Sequence, residues 1–508
     1  MRNRLYIALS LLAFLLLFWW IGHFEIFGMR PQGPHQWRQA DCLSYTLNYY
    51  KEDIGFLEPR VHNMGEDGDG MAVSEFPIVY FSVSRIWRLV GQKEWIYRVI
   101  VFLFSVIGLL ALWRWAAAYV GRSWSLAIAL MLACSPIFAY YSNNFLMNVP
   151  ALATALMALF AFDKFRKEGR IRWLVFSMLL FSLSGLLKIT GLLGYFAILG
   201  YVAQVWIDLI PDVRLKVRKT IVIVSLLLLP ILVNLWWYKW AMDYNKDPGN
   251  GFFLLGILPI WEFDGEQIAH VLRNVWTHWF NQYQLPAAQF AELMMLGALI
   301  YWRKKLNPFL ATMAFLSAAG MLCFIILFFQ VFADHDYYMI EMLLVWVLVA
   351  VCFVDLIYRQ WAAKRVYFVL VGVCLLLFGW SIWHVRAQMD FRYNTPWLNT
   401  HEKKNKVFEK IEPWLREKGI ERTDPVLVWP ERSINIPLYF ADQKGWTRFN
   451  TGLEDMDRLD EMIRRGLKYF IITDMALLDA PYLQPFLQAP MGQYEQLYLF
   501  DLRGFMTE

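Results

Sequence analysis

Leu5-Tyr-Ile-Ala-Leu-Ser-Leu-Leu-Ala-Phe-Leu-Leu-Leu-Phe-Trp-Trp-Ile-Gly-His-Phe-Glu-Ile-Phe27 follows the basic start Met1-Arg-Asn-Arg4 and leads into Pro34-His-Gln-Trp-Arg-Gln-Ala-Asp41. The apolar run is long enough to cross about 30 Å of hydrocarbon at 1.5 Å per residue. It is too long for a signal-peptide core, and no small-residue cleavage pattern follows it. It therefore predicts an uncleaved first membrane span with a polar loop behind it.

Similar runs recur along the chain. They predict further spans at about 95–119, 124–141, 147–165, 172–188, 190–210, 219–241, 286–302, 308–332, 337–358 and 364–384, about eleven in all. The bulk composition agrees. Of 508 residues 58% are hydrophobic and only 18% are charged, against about 25% in a soluble domain, and the mean hydropathy is +0.37. An ordinary soluble enzyme is excluded, and the expected fold class is a polytopic α-helical membrane bundle. The net charge of +5 is the mild excess of a polytopic protein and gives no ground for a nucleic-acid partner. Of five cysteines, Cys134, Cys323, Cys352 and Cys374 lie inside apolar stretches, where a thiol acts as a small hydrophobe.

Orientation follows from Lys and Arg, which collect on short cytoplasmic loops. With the N-terminus inside, the inner loops hold Arg114 and Arg122; Lys164, Arg166, Lys167, Arg170 and Arg172; Arg214, Lys216, Arg218 and Lys219; Arg303, Lys304 and Lys305; and Arg359, Lys364 and Arg365. The outer turns Tyr141–Asn148 and Ala333–Asp336 hold none. Eleven spans put the C-terminus outside, in the periplasmic or extracellular space. The expected location is a bacterial inner membrane.

Three outer segments exceed simple turns: residues 28–94, residues 242–285 and the tail from about 385. Long structured loops are usually functional. The expected domains are a membrane domain over 1–384, with a catalytic loop 28–94 and a second loop 242–285, and a soluble α/β domain over 385–508. The tail predicts helices near 402–418 and Met456–Arg465, and strands at Val426–Trp429, Tyr469–Thr473 and about Gln496–Asp501. Its Lys and Arg nearly balance its Asp and Glu, so it is no polybasic membrane anchor.

In the first loop, Tyr45, Asn48, Tyr49 and Tyr50 follow Asp41 at helical spacing, which predicts an aromatic-rich interfacial helix. Glu75-Phe-Pro77-Ile-Val-Tyr80 comes later, its proline placed to open a second helix. The intervening Glu66-Asp-Gly-Asp69 run lacks the spacing and closing Glu of a calcium loop and reads as a turn.

The order of these elements resembles the GT-C glycosyltransferases that use polyprenyl-phosphate sugars, and among them glycosyltransferase family 39, the protein O-mannosyltransferases and lipid A aminoarabinose transferases. The resemblance rests on Asp41 followed by Tyr45, on the Glu75-x-Pro77 element ending in Tyr80, and on Tyr97-Arg98 opening a span. Asn143-Asn-Phe-Leu-Met-Asn148-Val-Pro150, Leu186-Leu-Lys188 and His335-Asp-Tyr-Tyr338 extend it over roughly residues 1–350. It implies a GT-C-like membrane enzyme that moves one sugar, a hexose or a pentose, from a polyprenyl-phosphate donor to a protein, lipid or glycan acceptor on the extracytoplasmic face, with inversion. Asp41 takes the place of the catalytic aspartate.

Such a transfer needs a base for the acceptor hydroxyl and positive charge toward the departing phosphate. Asp41 is the candidate base. Arg38, Arg98, Lys188 and His335 are candidate phosphate contacts, and Glu75, Tyr45, Tyr80, Asn148 and Tyr338 complete the candidate substrate-binding set. Several have plainer alternatives: Asp41 as an N-cap or surface carboxylate satisfied by Arg38, Glu75 as a carboxylate facing water before the helix at Pro77, Arg38 as a headgroup anchor, Lys188 snorkelling from a span end, His335 and Tyr338 as helix-start and belt residues. Phe76 stands where the aminoarabinose transferases carry Lys. Cys42 and Asn148 stand where acids are common, which weakens the case for a bound divalent cation and leaves that option without support; no metal ligand is assigned and no other cofactor is predicted. The rival function is a transporter or flippase for a lipid-linked or anionic solute, which would place ionisable residues near mid-membrane.

Overall fold

The computed structural model describes residues 2–65, 68–212, 215, 221–246, 253, 256–361, 365–395, 404–449 and 459–505. Glu66, Arg214, Lys216, Arg218, Lys219 and Lys364 of the sequence reading lie outside them. The chain divides into two compact units. One comprises Met1–Gly28, Tyr97–Trp237 and Gly256–Phe391, the other Met29–Ile96, Tyr238–Leu255 and Arg392–Glu508.

The first unit is helical. Among the described residues seven helices are long and apolar enough to cross a membrane: Glu94–Ala133, Asn148–Glu168, Ile189–Trp206, Ile221–Asn245, Pro308–Leu327, Asp336–Gln360 and Phe368–Asn394. Arg4–Trp20, Ile171–Leu187 and Pro286–Tyr301 are shorter apolar helices. Large apolar side chains such as Leu228, Leu375 and Leu376 are exposed along them, as suits a hydrocarbon surrounding.

Glycine and proline set several boundaries. The first helix stops at Trp20, short of the expected Phe27, because Gly22 takes φ 86° and a separate short helix begins at His23. The expected second and third spans run together over Glu94–Ala133, broken by Gly121 at φ 76°, ψ 171°. Ser135 then caps a short helix that opens on Pro136, its side chain accepting from the Phe138 amide. Close helix approach relies on small residues: a Cβ at Gly108 would lie 2.7 Å from that of Ala153.

The second unit is built on a five-stranded sheet. β1 (Val426–Trp429), β2 (Gly445–Thr447), β3 (Tyr469–Ile472), β4 (Pro490–Tyr494) and β5 (Leu497–Asp501) lie in the order β2-β1-β3-β5-β4. β1 is parallel to β2 and β3, and β5 is antiparallel to β3 and β4. Leu427, Trp429, Trp446, Phe470, Ile472 and Phe500 form its core with Leu459, Met462 and Ile463.

The strand readings at Val426, Tyr469 and Gln496 match to within a residue. β2 is only three residues long, and β4 carries Pro490 and Gly492, residues depleted in strands and tolerated at an edge. Neither gave a strand signal. The expected helix near 402–418 is a 3₁₀ turn, Lys406–Lys410, followed by Glu412–Glu417, which opens with a proline. Only Leu459–Arg464 of the second expected helix is described.

The α/β segment does not cluster alone. It shares its unit with the first loop, whose helices Gln36–Lys51 and Ile78–Val90 pack on each other. Tyr45 stacks on Tyr80 at 5.2 Å, and Tyr49 meets Phe81 edge-on at 5.3 Å. Asn245 braces the loop, its amide exchanging two 2.8 Å hydrogen bonds with the Val73 backbone.

Candidate active site

Asp41 lies on the helix Gln36–Lys51 with Arg38 three residues before it and Tyr45 four after, so all three share one face. Its carboxylate is buried, 2% exposed. Oδ1 accepts a 2.8 Å hydrogen bond from the Asn435 amide, and Oδ2 is 3.6 Å from Arg38 Nη1. Arg38 also pairs with Glu75, and Tyr80 donates to that carboxylate at 2.8 Å. The Arg38 guanidinium lies 5.0 Å from the centre of the Phe253 ring.

Burial pushes the Asp41 carboxyl up to about 6 against the pull of Arg38 and Asn435. The same two acids hold Arg38 firmly charged. A base poised near neutral pH is what proton abstraction needs. Burial pushes the Cys42 thiol up to about 12, so it stays protonated and is neither nucleophile nor thiolate ligand. Tyr45 is buried and its hydroxyl has no hydrogen-bond partner among the described residues.

Behind Asp41 a second polar network joins the loop to the α/β segment. Arg422 pairs with Asp442 at 2.8 Å and with Glu52 at 2.7 Å, Lys444 reaches Glu52 at 2.9 Å, and His62 and Lys51 each approach Asp442 at 3.4 Å. Burial keeps His62 neutral, its pKa lowered to about 4 despite Asp442. Asn435 is held over Asp41 by its Oδ1, which accepts from the backbone N–H of Asn63 at 2.9 Å.

The other sequence candidates belong to the first unit. Arg98 is fully buried, donates to the Asn143 carbonyl at 2.6 Å and lies 4.2 Å over the Phe145 ring. Asn148, at the start of its helix, donates to Glu341 at 3.0 Å and to the Tyr337 carbonyl at 3.2 Å. Lys188, where one helix ends and the next turn begins, has Nζ 5.2 Å over Tyr338 and 5.8 Å over Tyr337. His335 lies 5.3 Å from Tyr337, and Asp336 accepts from Tyr141 at 2.7 Å. Asn148, Lys188, His335 and Tyr338 thus form one cluster, while Arg98 is committed to the backbone beside it.

Asn435, Glu341 and Asp336 were not singled out by sequence. Asn435 is 394 positions from Asp41, and no local pattern could connect them. Among the described residues no three His, Cys, Asp or Glu side chains gather as a metal-ligand set.

Comparison with known proteins gives the class first. ArnT from Cupriavidus metallidurans in the apo state matches over 100% of both chains at 15% identity, with a TM-score of 0.62. The same enzyme bound to undecaprenyl phosphate matches over 99% of both at 13% and 0.61. The oligosaccharyltransferase AglB from Archaeoglobus fulgidus, in complex with an inhibitory peptide and a dolichol-phosphate, matches over 94% of this chain and 70% of its own at 11% and 0.57. The chain has the GT-C fold of these membrane glycosyltransferases. Within it, residues 74–237 match the family model of dolichyl-phosphate-mannose-protein mannosyltransferases. No curated protein sequence matches the chain.

Proposed function

We propose that the protein is an integral-membrane glycosyltransferase that moves one sugar from a polyprenyl-phosphate carrier to an acceptor hydroxyl on the extracytoplasmic face. The observation that carries this reading is Asp41, a buried carboxylate tuned to about 6 on the first loop helix of a GT-C fold. ArnT with undecaprenyl phosphate and AglB with dolichol-phosphate share the fold, which supports a carrier of that chemical kind.

In the reaction the acceptor oxygen attacks C1 of the sugar as the bond from C1 to the phosphate oxygen breaks. Asp41 takes the acceptor proton, the polyprenyl phosphate leaves with the bonding pair, and a single displacement inverts the anomeric centre. Arg38 is held by Glu75, whose carboxylate also accepts from Tyr80, and orients the Asp41 carboxylate. In the first unit Lys188, a cation over the Tyr337 and Tyr338 rings at a helix end with His335 against Tyr337, is the candidate phosphate contact, and Arg98 fixes the backbone at Asn143. Asn148 and Tyr338 keep that cluster in shape.

The test is to incubate the purified protein with radiolabelled polyprenyl-phosphate hexoses and pentoses together with a membrane extract as the source of acceptor, and to measure carrier release and transfer of label to the acceptor. Turnover of at least one donor is expected. Stable binding without turnover of any donor would favour transport instead.

A further inference from the structure

A cleft of about 1000 Å³ opens in the second unit at the carboxyl ends of β1 and β3. Glu431 and Arg432, just after β1, and Asp474 and Met475, just after β3, line it. From β1 the chain moves to one side to make β2, then returns past it to make β3 on the other. At such a reversal the connections leave the sheet in opposite directions, and open α/β sheets take their ligands in the crevice that results.

We propose that this cleft binds a neutral saccharide, the glycan portion of the acceptor; the word acceptor rests on the glycosyltransferase reading, the binding itself does not. Trp37, Phe408 and Tyr498 line the cleft, and Trp37 is 45% exposed. Sugar rings present C–H faces that pack on aromatic rings, while their hydroxyls need fixed donors and acceptors. Asn405 supplies one. It is 4% exposed, its Nδ2 donates to Gln36 at 3.1 Å, and its Oδ1 has no partner among the described residues. A buried amide oxygen left so is costly unless a ligand satisfies it.

The charges of the cleft oppose an anionic ligand. Lys404, Arg432 and Arg448 face Glu431, Asp474 and Glu495, so no net field draws in a phosphate. The position favours an acceptor. Trp37 precedes Asp41 by four residues on one helix, so their backbone positions are about 6 Å apart along its axis, near one turn.

The test is calorimetric titration of the full-length protein in detergent with neutral gluco-, galacto- and manno-oligosaccharides of two to four units, with glucose 6-phosphate as the charged comparison. At least one neutral series should saturate. Trp37→Ala and Tyr498→Ala should each weaken it about tenfold, the loss of one stacking contact. Met475→Trp, placed at an exposed position so that folding is spared, should block the cleft to the same degree. No saturation by any neutral saccharide, preference for glucose 6-phosphate, or unchanged binding in the monodisperse Met475→Trp protein would overturn the proposal. Saccharide binding without carrier release would leave it standing and remove the glycosyltransferase reading instead.

Discussion

Asn435 donates its side-chain amide to Asp41 Oδ1 at 2.8 Å, which brings a residue of the C-terminal α/β segment onto the candidate base of the first loop. The amide cannot turn over, because its oxygen accepts from the Asn63 backbone. A fixed donor on a buried carboxylate favours the ionised form and offsets part of the desolvation that raises Asp41.

Removing that donor should move the pH profile. Wild-type kcat/KM should fall below about pH 6, where Asp41 protonates. In Asn435→Ala the ionised form loses a hydrogen bond to charge worth about 1.5–3 kcal/mol. The acid limb should then move up by about one to two pH units, with activity cut at least several-fold at pH 6.5 and largely restored at pH 8.5. A profile that stays in place would separate Asn435 from the base.

Arg38 compensates two buried acids, Asp41 and Glu75. Arg38→Met leaves both without their cation, a loss of about 3–5 kcal/mol for a broken buried pair. The thermal midpoint should fall clearly. Arg38→Lys keeps the charge but not the two-pronged donor geometry, and its midpoint should lie between the two.

Asp442 tests the network behind the site. Its carboxyl is held well below the usual range, burial being outweighed by His62 and Arg422. A group depressed in the folded state adds stability above its unfolded value near 3.9, and this is lost as pH falls through the folded value. Asp442→Asn should therefore be much less stable than wild type at pH 7, and the gap in thermal midpoints should narrow below about pH 4.

Helix contact in the first unit gives a packing test. At Gly108 an added Cβ meets Ala153 at 2.7 Å, whereas at Gly297 nothing lies within 4 Å. Gly108→Ala should cost about 1–3 kcal/mol through overpacking. Gly297→Ala, inside the helix Pro286–Tyr301, should be neutral or slightly stabilising by helix propensity. Thermal midpoints of the two in the same detergent give the comparison.

Much of the helical framework was legible because apolar runs of about 20 residues carry their own signal. Ends were less so: Gly22 and Gly121 break helices through backbone conformation inside apolar runs. In the α/β segment β1 and β3 announced themselves as Val, Leu, Tyr, Phe and Ile, whereas β2 and β4 exist because a neighbouring strand pairs with them. At the site the one-turn spacing of Arg38, Asp41 and Tyr45 and the Glu75–Tyr80 element were readable within the loop. Asn435 over Asp41 and Glu341 under Asn148 were not, because only tertiary folding brings such distant positions together.

The most direct measurement compares wild type with Asp41→Asn, a near-isosteric change that removes the base and keeps an acceptor for Asn435. Both proteins would be shown to be folded by thermal unfolding and monodisperse elution, and both given the donor that wild type turns over. The account predicts that transfer of the sugar to the acceptor, and with it release of polyprenyl phosphate, falls by about 10²–10⁴-fold, the usual contribution of a general base, while donor binding is retained. A folded Asp41→Asn protein that releases carrier at the wild-type rate would contradict it.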